Sequence, residues 1–271
     1  MSITLRVIIT IICIAVLLFG VGYWGFHVEP KPYDPFPGST PNLSTVPLPS
    51  GLPAPVERFY RTTVGDRIPV IETGASSLHG EMRMFGLRLP LRLRAVQQVG
   101  QGYYQIIEPT FFGRPMVTWL DTFWNGSAHV DMPPGIPDND PKMNQASNLA
   151  MWAACTPTIF LTDPRVRWEP IDQTHARLVV PAPAGTDSFT VAFNAQTGLM
   201  QYMEALRWKD RADAAQRMWR FTFLEWERSG GLLLPTTYSA TWEGEQPWMQ
   251  VHKDESLYNV DIQPFITAHS R

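Results

Sequence analysis

The residues of this 271-residue chain that could do chemistry are six histidines, two cysteines and a thin scatter of carboxylates. The tightest group is "VHKDES", where alternation along a strand puts His252 and Asp254 on one face and Glu255 follows. In "FLEWERSGG", Glu225 and Glu227 also share a face; two acids about 5–10 Å apart in a cleft are what glycoside hydrolysis needs. Convergence of His252, Asp254 and Glu225 would make an envelope hydrolase. The ordinary reading of each group is a solvated strand end beside a turn. No H-x-H or H-E-x-x-H pair supplies a metal site, and no G-x-S-x-G, P-loop or dinucleotide glycine fingerprint is present. Cys155 falls near the end of a predicted helix, where the dipole disfavours a thiolate, so it reads as packing. Cys13 lies far from it in sequence, so no disulfide framework is expected. No catalytic constellation, cofactor or metal is expected, and the chain does not read as an enzyme.

Two surface-type features remain. Arg83, Arg88, Arg92 and Arg94 form a stripe that could meet anionic head groups or an envelope polymer, or could be an outer sheet face balanced by Glu81 and other acids. Aromatic residues make up 12% of the chain, ten of them Trp, which is more than a simple sandwich needs. They predict either a well-filled core or the wall of an apolar ligand cavity. Net charge is −3, which argues against a nucleic-acid partner.

The elements that would position these residues divide the chain in three. The run "VIITIICIAVLLFGVGYWGF", Val7 to Phe26, holds no charge and is long enough as a helix to cross about 30 Å of hydrocarbon. Residues 1–28 therefore read as a single-pass transmembrane anchor with Tyr23 and Trp24 at the interface. A cleaved signal peptide is the rival; the bulky end "GYWGF" favours an uncleaved anchor. Arg6 places the N-terminus in the cytoplasm and the rest outside it, periplasmic or at the cell surface. Residues 29–51 repeat proline every few positions and read as an extended linker holding the body away from the bilayer. Residues 52–271 read as one β-rich domain.

Within that domain "PAPVERFYRTTVG" predicts a short helix, and Met143 to Ala154, after a Pro/Asp loop in "PPGIPDNDPKMNQ", predicts another. "TIFL" reads as a connector or short strand. Elsewhere the period is two. In "LRLPLRLRAV", Leu87, Leu89, Leu91, Leu93 and Ala95 point one way and Arg88, Arg92 and Arg94 the other. Turn signals such as "GQG" and Asn125-Gly126 separate about 11–12 strands. The connections are too short for parallel crossovers, so the fold class is mainly β, an antiparallel meander with few helices.

The segments "GLPAPVERFYR", "GDRIPVIE", "PTFFGRP", "NLAMWA", "LTDPRVRWEPID", "ARLVVP" and "FTVAFNAQTGLMQYMEALRWKD" occur in that order. Together they resemble a bacterial family of membrane-anchored proteins of unknown function, over roughly Leu52 to Ile262. Where that family carries an acid after Trp-Ala, this chain has "WAACTPTIF". The body also looks like the half-barrel of lipoprotein carriers, in which a curved sheet wraps an inserted helix around an apolar cavity. That resemblance implies a binding protein without chemistry, whose ligand is a lipid or a lipoprotein acyl chain. The expected ligand-binding residues are Leu89, Leu91, Phe111, Phe112, Trp152 and Phe160. The alternative is a structural or interaction module of an envelope assembly with its interior filled.

Overall fold

The computed structural model describes residues 3–84, 86–131, 139–229 and 231–270. The Pro/Asp loop expected in 132–138 lies outside the described residues. In chain order the elements are α1 (Ile3–Gly25), β1 (Thr45–Pro47), α2 (Ala54–Thr63), β2 (Arg67–Pro69), β3 (Thr73–Met84), β4 (Leu87–Gln98), β5 (Gly102–Phe111), β6 (Arg114–Pro115), β7 (Trp119–Trp124) and β8 (Ser127–Val130). They continue with α3 (Pro141–Ala154), α4 (Ile159–Thr162), β9 (Arg167–Pro170), β10 (His175–Ala182), β11 (Gly185–Phe193), β12 (Met200–Arg207), β13 (Arg217–Ser229), β14 (Leu232–Trp242), β15 (Met249–Tyr258) and α5 (Gln263–His269).

Twelve strands pair along one antiparallel path, β8-β7-β5-β4-β3-β15-β14-β13-β12-β11-β10-β9, with β6 added to β5 and a separate β1–β2 pair. The protein is mainly β, and its strands follow one another as a meander with a single long-range join, β15 against β3. Period-two patterning produces this directly, with neighbouring strands joined by connections too short for parallel crossovers. Asn125 (φ 50°) and Gly126 (φ 85°) both occupy the left-handed region, as a two-residue hairpin demands.

The sheet curls about α3, which touches β5, β7 and β8 on one flank and β10 and β12 on the other. Asp140 starts α3: its carboxylate accepts from the Lys142 and Met143 amides at 3.0 and 3.1 Å, and Pro141 takes the first helical position. α2 lies on β10, β11 and β14, burying Val56, Phe59 and Tyr60. The Tyr60 hydroxyl donates to the Pro157 carbonyl at 2.7 Å, tying α2 to the turn after α3. That turn carries the first departure from expectation. "TIFL" is the short helix α4, because Pro157 ends α3 while Thr156, Pro157 and Thr158 carbonyls accept from the next turn's amides. α5 was not signalled either; it is seven residues long and buries only Ile266.

The proline-rich stretch is the larger correction. It is not a free spacer but runs along the outer face of the sheet. The Lys31 amide donates to the Gly113 carbonyl at 2.8 Å, the Phe36 amide to Glu255 at 3.0 Å, and Thr45–Pro47 pairs with Arg67–Pro69. The arginine stripe holds it. Arg92 donates to Glu108 at 2.6 Å and to the Lys31 carbonyl at 2.9 Å, and its guanidinium sits 4.1 Å from the Tyr33 ring centroid. Tyr33 donates to the same carboxylate at 3.0 Å, and Arg94 stacks 3.8 Å from the Phe36 ring. Arg88 behaves as a plain outer-face charge, pairing with Glu81 at 3.2 Å, and Arg83 stands opposite it. Phe36 then joins Ala75, Val96, Ile262 and Ile266 in a small second core on this face. Proline's fixed φ suits a segment that lies extended against a sheet as well as one in water; partners, not backbone preference, decide which.

The Arg92–Glu108 pair is the centre of this docking, with side-chain exposures of 16% and 10%. Leaving one member of such a pair alone is costly. Arg92→Met is expected to lower unfolding free energy by about 3 kcal/mol in urea titrations and to speed protease cleavage within residues 29–44. Unchanged cleavage would show that the segment is not held by this pair.

Candidate functional site

Between α3 and the concave face lies a cavity of about 850 Å³. This is within the range of small-molecule sites, about 300–1,000 Å³. Five of the ten tryptophans wall it: Trp119, Trp208, Trp219, Trp242 and Trp248. Register explains why they converge. Trp219 on β13 stands opposite Trp242 on β14 and Ala205 on β12, so inward positions of neighbouring strands stack into rows. On β4 the wall is Leu93, Ala95 and Gln97, and on α3 it is Met143, Ala146, Ser147, Ala150, Met151 and Ala154. Small residues on α3 leave the space that larger ones would fill. Exposed Lys209, Glu245 and Gln246 mark its rim.

Two polar groups interrupt the apolar wall. In the first, the Asp121 carboxylate accepts from the Tyr103 hydroxyl at 3.0 Å and from Gln105 at 2.6 Å. Arg207 lies near, donating to the Ala146 carbonyl at 2.8 Å with its guanidinium 4.5 Å from the Trp219 ring. Burial pulls Arg207 down to about 10 and pushes the Asp121 carboxyl up, against the donors and cation that favour its charge. The second group is Lys253, Ser256 and Tyr258 on β15. The indole N–H groups of Trp219 and Trp248 and the hydroxyls of Ser256 and Tyr258 are buried without partners. These donors sit just behind the wall, so a ligand that brings acceptors reaches them only when the wall side chains shift.

None of the six residues expected to bind ligand borders this cavity. Leu89 and Leu91 do face inward, but into packed core. Trp152 and Phe160 are buried at 2% exposure each, 6.5 Å apart, with the Trp152 indole donating to the Pro181 carbonyl at 3.3 Å. They pin α3 and α4 down rather than cover a ligand. Phe111 and Phe112 meet the end of α1, against Phe26 at 4.9 Å and Trp24 at 5.8 Å. The cavity-facing residues had one available signal, aromatic and charged side chains at the inward parity of β12 to β15. Only register could show which strand ends enclose space.

The histidine–acid group does come together, but elsewhere. Thr237 donates to Glu225 at 2.5 Å and meets His252 at 2.8 Å, with His252 and Glu225 3.8 Å apart. His79 meets Asp254 at 2.6 Å, and the two histidine rings are 5.6 Å apart. These residues occupy the outward parity of four neighbouring strands and do not line the cavity. The His79, His252 and Glu225 side chains are exposed there, so the row is an open polar patch. Among the described residues no group of three or more His, Cys, Asp and Glu is arranged to hold a metal ion. Cys155 is free and buried; its thiol donates to the Trp152 carbonyl at 3.1 Å, and burial pushes it up, away from the reactive thiolate.

α1 is long and apolar enough to cross a membrane by length and composition. Its end is bonded to the body: the Phe112 amide donates to the Gly25 carbonyl at 2.8 Å.

Residues 42–251 match the model of a family of unknown function, DUF6544. No curated protein matches the chain. Among solved structures, the chain is similar to a DUF1329 family protein from Desulfovibrio piger, at 15% identity and a TM-score of 0.46, over 80% of this chain and 95% of that one. It is also similar to a LolA superfamily protein from Nitrosomonas europaea, at 11% identity and a TM-score of 0.49, over 78% and 95%.

Because the folded state holds the Asp121 proton more tightly than the unfolded chain, its ionisation costs stability as pH rises from the ordinary aspartate value of about 4 through the raised folded value. Asp121→Asn removes that cost. Relative to the parent, the variant is expected to gain in thermal midpoint as pH rises to 8. That gain should vanish as pH is lowered below about 3, where both states hold the proton; a difference independent of pH would refute the assignment.

Proposed function

The chain belongs to DUF6544, a family of unknown function, and for it we propose a binding function without chemistry: the body takes an apolar or amphipathic ligand, a lipid or the acyl chain of a lipoprotein, into the cavity. The observation that carries this reading is the space of about 850 Å³ walled by five tryptophans and by small residues of α3. A protein that only needed a filled interior would lose stability at such a void. Each buried methylene of a guest contributes about 0.8 kcal/mol, so a long chain supplies its own driving force.

In this reading residues 1–28 are a single-pass anchor with a cytoplasmic N-terminus, residues 29–51 are a strap rather than a spacer, and residues 52–271 are an extracytoplasmic domain. The bond between Gly25 and Phe112, with the ring contacts of Trp24 and Phe26, seats the body at the helix end. The tether then keeps the cavity beside the bilayer that supplies or receives its ligand. Tyr23 and Trp24, exposed on α1, fit the aromatic belt of such an interface.

The test compares the full chain with Ala150→Trp, which fills the cavity from α3. Both are extracted from cells in an amphipathic polymer and their bound lipids measured by mass spectrometry. The parent is expected to retain chains in defined stoichiometry and the variant to lose most of them. Equal lipid content in two folded proteins would sink the proposal and favour an interaction module of an envelope assembly.

A further inference from the structure

In the cavity wall Lys253 is a cation with no carboxylate partner among the described residues, and the strand that presents it is bent to do so. β15 pairs with β3 through Lys253↔Leu78, and after a register shift through Glu255↔Ser77 and Ser256↔Ser76. The extra residue is Asp254. A bulge of this kind re-aims side chains by changing the parity of everything after it. Lys253 and Ser256, three apart, thus both face inward, beside Leu78 and Ser76 on the same wall, and Tyr258 follows. The two acids between them turn outward. Asp254 meets His79 at 2.6 Å, and Glu255 accepts from the Phe36 amide at 3.0 Å. The carboxylates nearest in sequence are therefore spent on the far side of the sheet.

What remains around Lys253 is neutral. Its ammonium lies 5.2 Å from the Tyr238 ring, with Tyr258 and Cys155 also beside it, and no ion pair to a carboxylate forms among the described residues. Tyr238 donates its hydroxyl to the Pro235 carbonyl at 2.7 Å. The hydroxyls of Ser256 and Tyr258 are buried without partners. A cation in this stretch of the wall, with two unpartnered hydroxyls behind it, is complementary to an anion that brings acceptors and little else. The Asp121–Arg207 group differs, because its charges answer each other.

We propose that Lys253, Ser256 and Tyr258 form a head-group subsite that binds the carboxylate or phosphate of a single-chain anionic amphiphile, whose chain lies along the tryptophan wall. This rests on the reading that the cavity takes an apolar chain, and deepens it from chain to head.

The experiment uses the full chain in an amphipathic polymer, loaded with a neutral fluorescent phenylnaphthylamine. Oleate, oleoyl lysophosphatidate and oleyl alcohol are each titrated against the probe. At least one anion is expected to displace it at a concentration about ten-fold below that of the alcohol, as one charge-assisted contact provides; the stronger anion identifies the head as carboxylate or phosphate. Lys253→Met should abolish this preference, so that anions and alcohol displace the probe at similar concentrations. Tyr258→Phe keeps the ring and should weaken the preference several-fold, which keeps the question answerable if Lys253→Met fails to fold. Alcohol and both anions displacing the probe equally would overturn the subsite while leaving the cavity reading intact. Absence of binding by probe and all three competitors would instead overturn the cavity reading itself.

Discussion

The concave face of a twelve-stranded sheet is wider than the helices laid on it can cover. At about 4.8 Å per strand it would span roughly 55 Å if flattened, whereas α3 is about 21 Å long and about 10 Å across. Curling around α3 brings the two flanks of the sheet to one helix and buries most of the inward side chains. Curvature cannot remove the mismatch altogether, because strands already packed against α3 and α2 hold the walls apart. The remaining space is the cavity, and the alanines and serine of α3 keep it open. Tryptophan at the facing positions narrows it to a slot, since large rigid rings cover the most wall per residue.

The outer face answers a related problem. A sheet this wide exposes a second surface, and here the chain covers part of it with its own proline-rich strap. Of the arginines that alternate with the inward leucines of β4, Arg92 and Arg94 are engaged by Tyr33, Phe36 and Glu108. The same face holds Glu255 and Asp254, which the bulge in β15 turned away from the cavity. The polarity of the inner wall thus depends on what the outer face absorbs. If the strap were loose, Glu255 would lose its amide partner, and the bulge would lose one of the contacts that hold its parity.

The body that holds the cavity is packed against the end of an apolar helix. The body is joined to α1 by a hydrogen bond and ring contacts rather than by a length of free chain. The polar groups that could have suggested catalysis are divided by the sheet. His79, His252, Glu225 and Asp254 lie outside on an open patch, while aromatic rings wall the enclosed space.

Alternation, turns and caps are written in short windows, and they were legible. The inward leucines of β4, the Asn125-Gly126 turn, the Asp140 cap of α3 and the apolar run of α1 each depend on residues within a few positions of one another. That is enough to determine a β meander with an inserted helix and a helix long enough to cross a membrane. It does not determine which inward residues face space and which face packing. Leu91 and Leu93 share a strand and a parity, yet only Leu93 borders the cavity, because the difference lies in what the other flank of the sheet presents. The proline-rich strap looked like a spacer because its partners, Glu108, Glu255 and Gly113, are far along the chain. Lys253 looked like one more charge on a polar strand end until pairing with β3 revealed the bulge that turns it inward. Local periodicity decided the elements; the long-range join of β15 to β3, about which a short window carries no information, decided the site.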